Sequence, residues 1–152
     1  MGDVATIWQG SFGDWQVAGP SLANDDGLQT AVLMSLFTHR RAEPDDVLPN
    51  AALGRRGWWG DAFPVVEGDL IGSRLWLLSR EKRLDAALRR AEEYAREALR
   101  WLIEDGVARS VGVTAEAQQP TPGQAVLALQ VVVTRSAQPL ARFRFELFWK
   151  GD

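Results

Sequence analysis

The chain has no cysteine and a single histidine. Without cysteine there are no disulfides, no thiolate zinc sites and no cysteine nucleophile. One histidine, His39, excludes a histidine metal cluster. A serine triad would have to use that ring, and no nucleophile-elbow pattern lies near it. Beside Arg40 and Arg41, His39 reads as an ordinary surface residue. No apolar stretch approaches the ~18 residues that mark a membrane-spanning helix. The start, Met1-Gly2-Asp3-Val4, has no basic segment leading into an apolar run, so neither export by signal peptide nor membrane insertion is expected. Excess positive charge is also missing: 17 Lys and Arg against 20 Asp and Glu give a net charge of −3. That balance offers no general attraction for nucleic acid or anionic lipid. Gly54-Arg55-Arg56-Gly57 and Gly57-Trp58-Trp59-Gly60 do not have phosphate-loop spacing, and no cofactor, metal or small-molecule ligand is expected.

What is present fits one folded domain over 1–152. The 152 residues suffice for one well-buried core, and 46% hydrophobic with 24% charged residues is ordinary globular composition. Tryptophan is abundant, with seven in the chain. Trp8, Trp15, Trp58, Trp59 and Trp76 all fall in the first half, which suggests interfaces as well as core there.

Turn residues separate short extended pieces near the start, with one strand expected over 14–18. Asn24-Asp25-Asp26-Gly27 offers N-cap acceptors for a mostly buried helix over 26–38, although its ten-residue apolar run also permits a strand. Residues 39–70 are irregular, with Pro44, Pro49 and Pro64, and loops of that length inside a domain are usually functional or disordered. Ser73 is placed to cap a short apolar helix over 74–80. Over 84–105, Leu84, Leu88, Ala91, Ala95, Ala98, Leu99, Leu102 and Ile103 recur at helical spacing. Charges fill the opposite face, with Asp85–Arg89 and Glu92–Arg96 as i, i+4 pairs, and Gly106 ends the helix. Period-2 alternation then predicts strands over 107–114, 127–133 and 143–149. Arg109 shares a face with Val107, Val111 and Val113. There a guanidinium needs Glu104, Asp105, Glu146 or another subunit as partner. The fold class is therefore α+β. A long amphipathic helix packs on a C-terminal three-stranded antiparallel meander, joined by an N-terminal helix and a long irregular Trp-rich loop.

The middle of that loop, Arg55-Arg56-Gly57-Trp58-Trp59-Gly60-Asp61, has the residue types of a recognition site: aromatic anchors, two guanidinium forks and an acceptor. Trp58 and Trp59 are either plugs of the core or anchors for a partner. Glu43, Asp45, Asp46 and Asp61 beside a tryptophan platform would suit a carbohydrate-acting, lysozyme-like hydrolase, but nothing in their spacing selects a pair. A peptide-binding adaptor using the Trp58/Trp59 loop is the other alternative.

The run from Thr30 to Ala42 (Thr-Ala-Val-Leu-Met-Ser-Leu-Phe-Thr-His-Arg-Arg-Ala) resembles the Mu-like phage tail protein family that forms part of the baseplate. So do the Arg-Arg-Gly-Trp-Trp-Gly-Asp run, Ser73 to Leu78, and Ala98 to Ala108. The likeness runs in order over roughly 4–150. That family is similar in turn to the small wedge protein of contractile tails and to its counterpart in type VI secretion systems. The resemblance implies a non-catalytic structural protein of the virion tail baseplate, assembled in the bacterial host cytoplasm. Its partners would be other baseplate wedge proteins and the tail sheath protein, with the tail tube or hub a further one; no nucleic acid or membrane is implied. A sheet edge such as that of residues 141–149 would help to initiate the sheath by strand pairing. Arg55, Arg56, Trp58, Trp59, Asp61 and Arg109 are the partner-binding residues it suggests. Small wedge proteins carry Glu-Pro-Arg after the long helix. Here Val107-Ala108-Arg109 keeps only the arginine.

Overall fold

The computed structural model describes residues 3–4, 6–8, 13–15, 17–18, 21–22, 24–25, 27–121 and 124–149. Six short strands come first: β1 (Asp3–Val4), β2 (Thr6–Trp8), β3 (Gly13–Trp15), β4 (Val17–Ala18), β5 (Ser21–Leu22) and β6 (Asn24–Asp25). They pair antiparallel as β1–β6, β2–β3 and β4–β5. The strand expected over 14–18 therefore falls into β3 and β4, which have different partners, and residue 16 lies outside the described residues.

Helix α1 (Leu28–Phe37) begins at Gly27, whose φ of 82° turns the chain into the helix without a side-chain cap. Asn24 and Asp25, expected as cap acceptors, are taken up in β6, and residue 26 lies outside the described residues. The apolar run is helical rather than extended, and it buries Leu28, Val32, Leu33 and Leu36. Three short 3-10 turns, Ala51–Leu53, Trp59–Ala62 and Leu75–Arg80, punctuate the irregular segment that follows. The last is the short helix expected over 74–80, in 3-10 form.

That segment is pinned at both ends by one parallel bridge. The Arg40 N–H donates to the Ser73 carbonyl (3.0 Å), and the Ser73 N–H donates to the Thr38 carbonyl (2.9 Å). Gly72 makes the close approach possible, because a Cβ there would sit 2.4 Å from the Thr38 oxygen and its φ is +96°. Ser73, expected as the N-cap, lies one residue before it: Arg74 holds the cap position, while the Ser73 Oγ accepts from the Leu75 N–H (3.3 Å) and donates to the Leu36 carbonyl.

The amphipathic helix is interrupted. α2 (Leu84–Ala98) and α3 (Trp101–Glu104) replace the single helix expected over 84–105. At the junction, Arg100 N–H bonds Glu97 O (3.3 Å) and Leu102 N–H bonds Leu99 O (3.2 Å), a tighter i−3 pattern. Leu99 and Leu102, three residues apart, are both completely buried. A tight turn of about 3 residues puts such a pair on one face more closely than an α-turn does. Gly106 ends α3 with a φ of +73°, as its position predicts.

Strands β7 (Ser110–Thr121), β8 (Gln124–Thr134) and β9 (Ala141–Trp149) form the expected antiparallel meander in the order β7-β8-β9. Its start differs from the prediction. The ladder begins at Ser110, Ala108 takes the buried place, and Val107 is 42% exposed. Arg109 donates its amide to Thr134 O (2.7 Å) while its side chain is exposed, so the Arg109 guanidinium is not buried on an apolar face. Inward residues Val113, Leu127, Leu129, Val131, Val133 and Phe145 join one core with the small residues Ala87, Ala91, Ala95 and Ala98 of α2 and with Val32 and Leu36 of α1. Alanines on α2 let the helix approach β7 closely, and each buried Leu or Val contributes about 1.5–3 kcal/mol. Helices on one face of an antiparallel sheet make this an α+β fold.

Candidate functional site

The Trp58/Trp59 loop is built from its base upward. Arg56 (φ 53°) and Gly57 (φ 115°) are both left-handed and reverse the chain. Below them the Ala42 N–H donates to the Arg55 carbonyl (2.9 Å). The Arg55 guanidinium donates to the carbonyls of Glu43 and Pro44, the latter at 2.9 Å. Arg56 lies over the Trp76 ring, 4.8 Å from its centroid, with a guanidinium nitrogen 3.2 Å from the His39 ring. Partial burial, reinforced by the Arg56 charge, pushes the His39 pKa below its ordinary value. A neutral ring is what can accept from a guanidinium. Arg55 and Arg56 are thus engaged within the chain, where they hold the base of the loop.

Trp58 and Trp59 stand above that base with ring centroids 5.4 Å apart, 43% and 79% exposed, and outside the core. Their indole N–H groups make no hydrogen bond with other described residues. Trp76 and Trp101 behave differently. Trp76 Nε1 donates to Arg40 O (2.8 Å), and Trp101 Nε1 donates to Ser35 Oγ (3.0 Å), which itself donates to Ala31 O (2.8 Å). Asp61 ties the loop shut: its Oδ1 accepts from the Ile71 N–H (3.2 Å), while its buried Oδ2 has no partner among the described residues.

The two indoles border a cleft of about 610 Å³. Phe63, Val65 and Leu70 from the same segment line it, as do Met34 of α1 and Trp101 of α3. Phe63 is 84% exposed and Val65 entirely so, which makes the rim an apolar patch open to solvent. Arg109, at the entry to β7, does not line this cleft. Of the four carboxylates considered for hydrolysis, Asp61 lines it and Glu43, Asp45 and Asp46 do not, though Asp69 does. No group of three or more His, Asp or Glu residues is arranged to hold a metal among the described residues. No helix among them is long and apolar enough to cross a membrane.

One structural centre escaped the sequence reading. Arg74 forms ion pairs with Asp46 and Glu97, both at 3.0 Å, and stacks on Tyr94 at 4.7 Å. Burial disfavours its charge, but the hydrogen bonds and charges of Asp46 and Glu97 outweigh that and raise its pKa. This cluster clamps the irregular segment to α2. The available signal was a lone charge inside the apolar run from Ser73 to Leu78.

The fold and the cleft together define a small α+β protein that carries an aromatic surface patch on a pinned irregular segment. Residues 28–139 match the family model described as phage protein GP46, and the chain belongs to that family. It is similar to the baseplate protein gp46 of Escherichia phage Mu, with 48% identity over 116 residues covering 76% of this chain and 78% of the relative. It is also similar to the Mu-like prophage FluMu protein gp46 of Haemophilus influenzae, 42% identical over 133 residues, 88% of this chain and 87% of the relative.

Proposed function

We propose that the chain is a structural, non-catalytic wedge component of a contractile-tail baseplate in the virion, binding other wedge proteins and the sheath protein and helping to initiate the sheath. The carrying observation is the 48% identity to a protein named for the baseplate, across about three quarters of both chains. Two surfaces suit such a role. Trp58 and Trp59 present exposed aromatic area of the kind enriched at interface hot spots. In this reading Arg55, Arg56 and Asp61 act by shaping that loop, and the exposed Arg109 is a second contact.

The other surface is the outer edge of β9. Val113 O and Ala115 N–H are turned away from β8, so alternation along the ladders directs Phe143 and Phe145 main-chain groups toward β8 and those of Arg142 and Arg144 outward. An incoming strand can pair there. Deleting the gene from a tail-producing strain tests the proposal by electron microscopy of the particles. Tails without a complete baseplate or without sheath are expected; complete sheathed tails would overturn it.

A further inference from the structure

Beside the tryptophan cleft runs a second groove of about 480 Å³. Asp69, Leu70, Ala98 and Trp101 line both, so the two are continuous. Their chemistry differs. The first is walled by exposed Trp, Phe and Val side chains. The second is lined by the exposed carboxylates Glu67, Asp69, Glu104 and Asp105, none of which has an ion-pair partner among the described residues. Glu97, also on its wall, is taken by Arg74. Among the described residues, Arg40 and Arg100 are the only cationic side chains lining the groove, so negative charge prevails there.

We propose that the two grooves form one docking surface for a segment of another polypeptide that sets large apolar side chains next to lysine or arginine. This rests on the reading of the Trp58/Trp59 cleft as a docking element, and it adds the chemistry of what docks. Burial of an apolar anchor against Trp59 and Phe63 supplies affinity, while the carboxylates select cationic neighbours and repel acidic ones. The same carboxylates repel a phosphate backbone or an anionic bilayer, and the pairing of an open apolar rim with a groove of net negative charge suits a polypeptide that carries apolar and basic side chains side by side.

The test is to pan the purified full-length chain against a displayed library of random dodecapeptides, then to titrate the most enriched peptide as a synthetic probe. Enriched sequences are expected to place Trp, Phe or Leu beside Lys or Arg. Trp59→Ala should weaken the probe about 10-fold or more, and Glu104→Gln with Asp105→Asn about 3-fold. Affinity should fall as salt rises from about 50 to 300 mM, since screening then reaches groove-sized distances. Glu104→Lys with Asp105→Lys should instead enrich acidic peptides, a gain that unfolding cannot mimic. Enrichment of acidic peptides by the wild type, absence of enrichment, or sedimentation showing a Trp59-dependent dimer would each overturn the proposal. Binding that needs Trp59 but ignores the carboxylates would remove the basic partner and leave the cleft a docking element. Complete sheathed tails in the deletion strain would overturn the baseplate role and leave the peptide result standing.

Discussion

At Gly60 an added Cβ would lie 2.1 Å from the Trp58 ring, well inside contact distance, whereas at Gly54 it would meet nothing within 4 Å. The two glycines therefore serve different needs. Gly54, with φ +62° and ψ −170°, supplies a backbone conformation that is essentially reserved for glycine, and Ala there costs about 1–3 kcal/mol of strain. Gly60 supplies space, so Gly60→Ala must drive the indole off its seat at about 1–3 kcal/mol. Both variants should melt at a lower temperature in differential scanning calorimetry, and tryptophan emission should shift in Gly60→Ala alone; unchanged emission in Gly60→Ala would refute the packing account. Residues of this kind mark the limit of what one sequence discloses. The composition of Arg-Arg-Gly-Trp-Trp-Gly-Asp suggested a recognition loop and left open whether Trp58 and Trp59 face inward; both are exposed. That Arg55 turns back to Glu43 and Pro44, and Arg56 to Trp76 and His39, depends on loop closure over 11 to 20 residues, which periodicity does not encode.

Among the elements, α2 does more than cover the sheet. Glu92 Oε1 accepts from the Ala115 N–H (3.0 Å), and Arg96, paired with Glu92 at 2.9 Å, donates to the Val113 carbonyl (2.9 Å). An i, i+4 pair visible in the sequence thus caps the outer main chain of β7, leaving β9 as the sheet edge without such a clip from α2. Glu92→Ala with Arg96→Ala should expose the β7 edge and give concentration-dependent oligomers in sedimentation velocity; a strictly monomeric variant would contradict this role. The Ala115 N–H, ahead of Arg96, holds the Glu92 carboxyl below its ordinary value of 4.5. A lowered folded-state pKa means the stabilisation is complete above the unfolded value and is lost as pH falls through the folded one. Chemical denaturation of Glu92→Gln should show a flatter stability profile below about pH 4.5 than the wild type. Helix and meander were legible because long periodic segments identify themselves. The break at Leu99–Arg100 was not, since buried residues on both sides keep helical spacing while the turn tightens. Nor was the start of β7, where Ala108 rather than Arg109 turns inward.

For the whole molecule, Trp58, Trp59, Trp76 and Trp101 divide into framework and display. Trp101 packs against the core and bonds Ser35 of α1, and Trp76 packs there too and bonds Arg40, whereas Trp58 and Trp59 contribute no side chain to that core. Removing Trp101 opens space between α1 and α3 and takes one of its two hydrogen bonds from the buried Ser35 hydroxyl, which still donates to Ala31 O, at about 3–5 kcal/mol. Truncating Trp59 takes away surface already in water and costs about 0.5 kcal/mol or less. The domain should therefore separate stability from association. Trp58→Ala with Trp59→Ala is expected to keep wild-type far-ultraviolet circular dichroism and to lose co-purification with the other baseplate proteins. Trp101→Ala should melt at a clearly lower temperature. If the double variant unfolds instead, the pair belongs to the framework and the display surface must be sought at the β9 edge. If it folds and still co-purifies, the indoles carry no binding energy, and the exposed Phe63 and Val65 beside them lose the anchor that makes the cleft a docking surface.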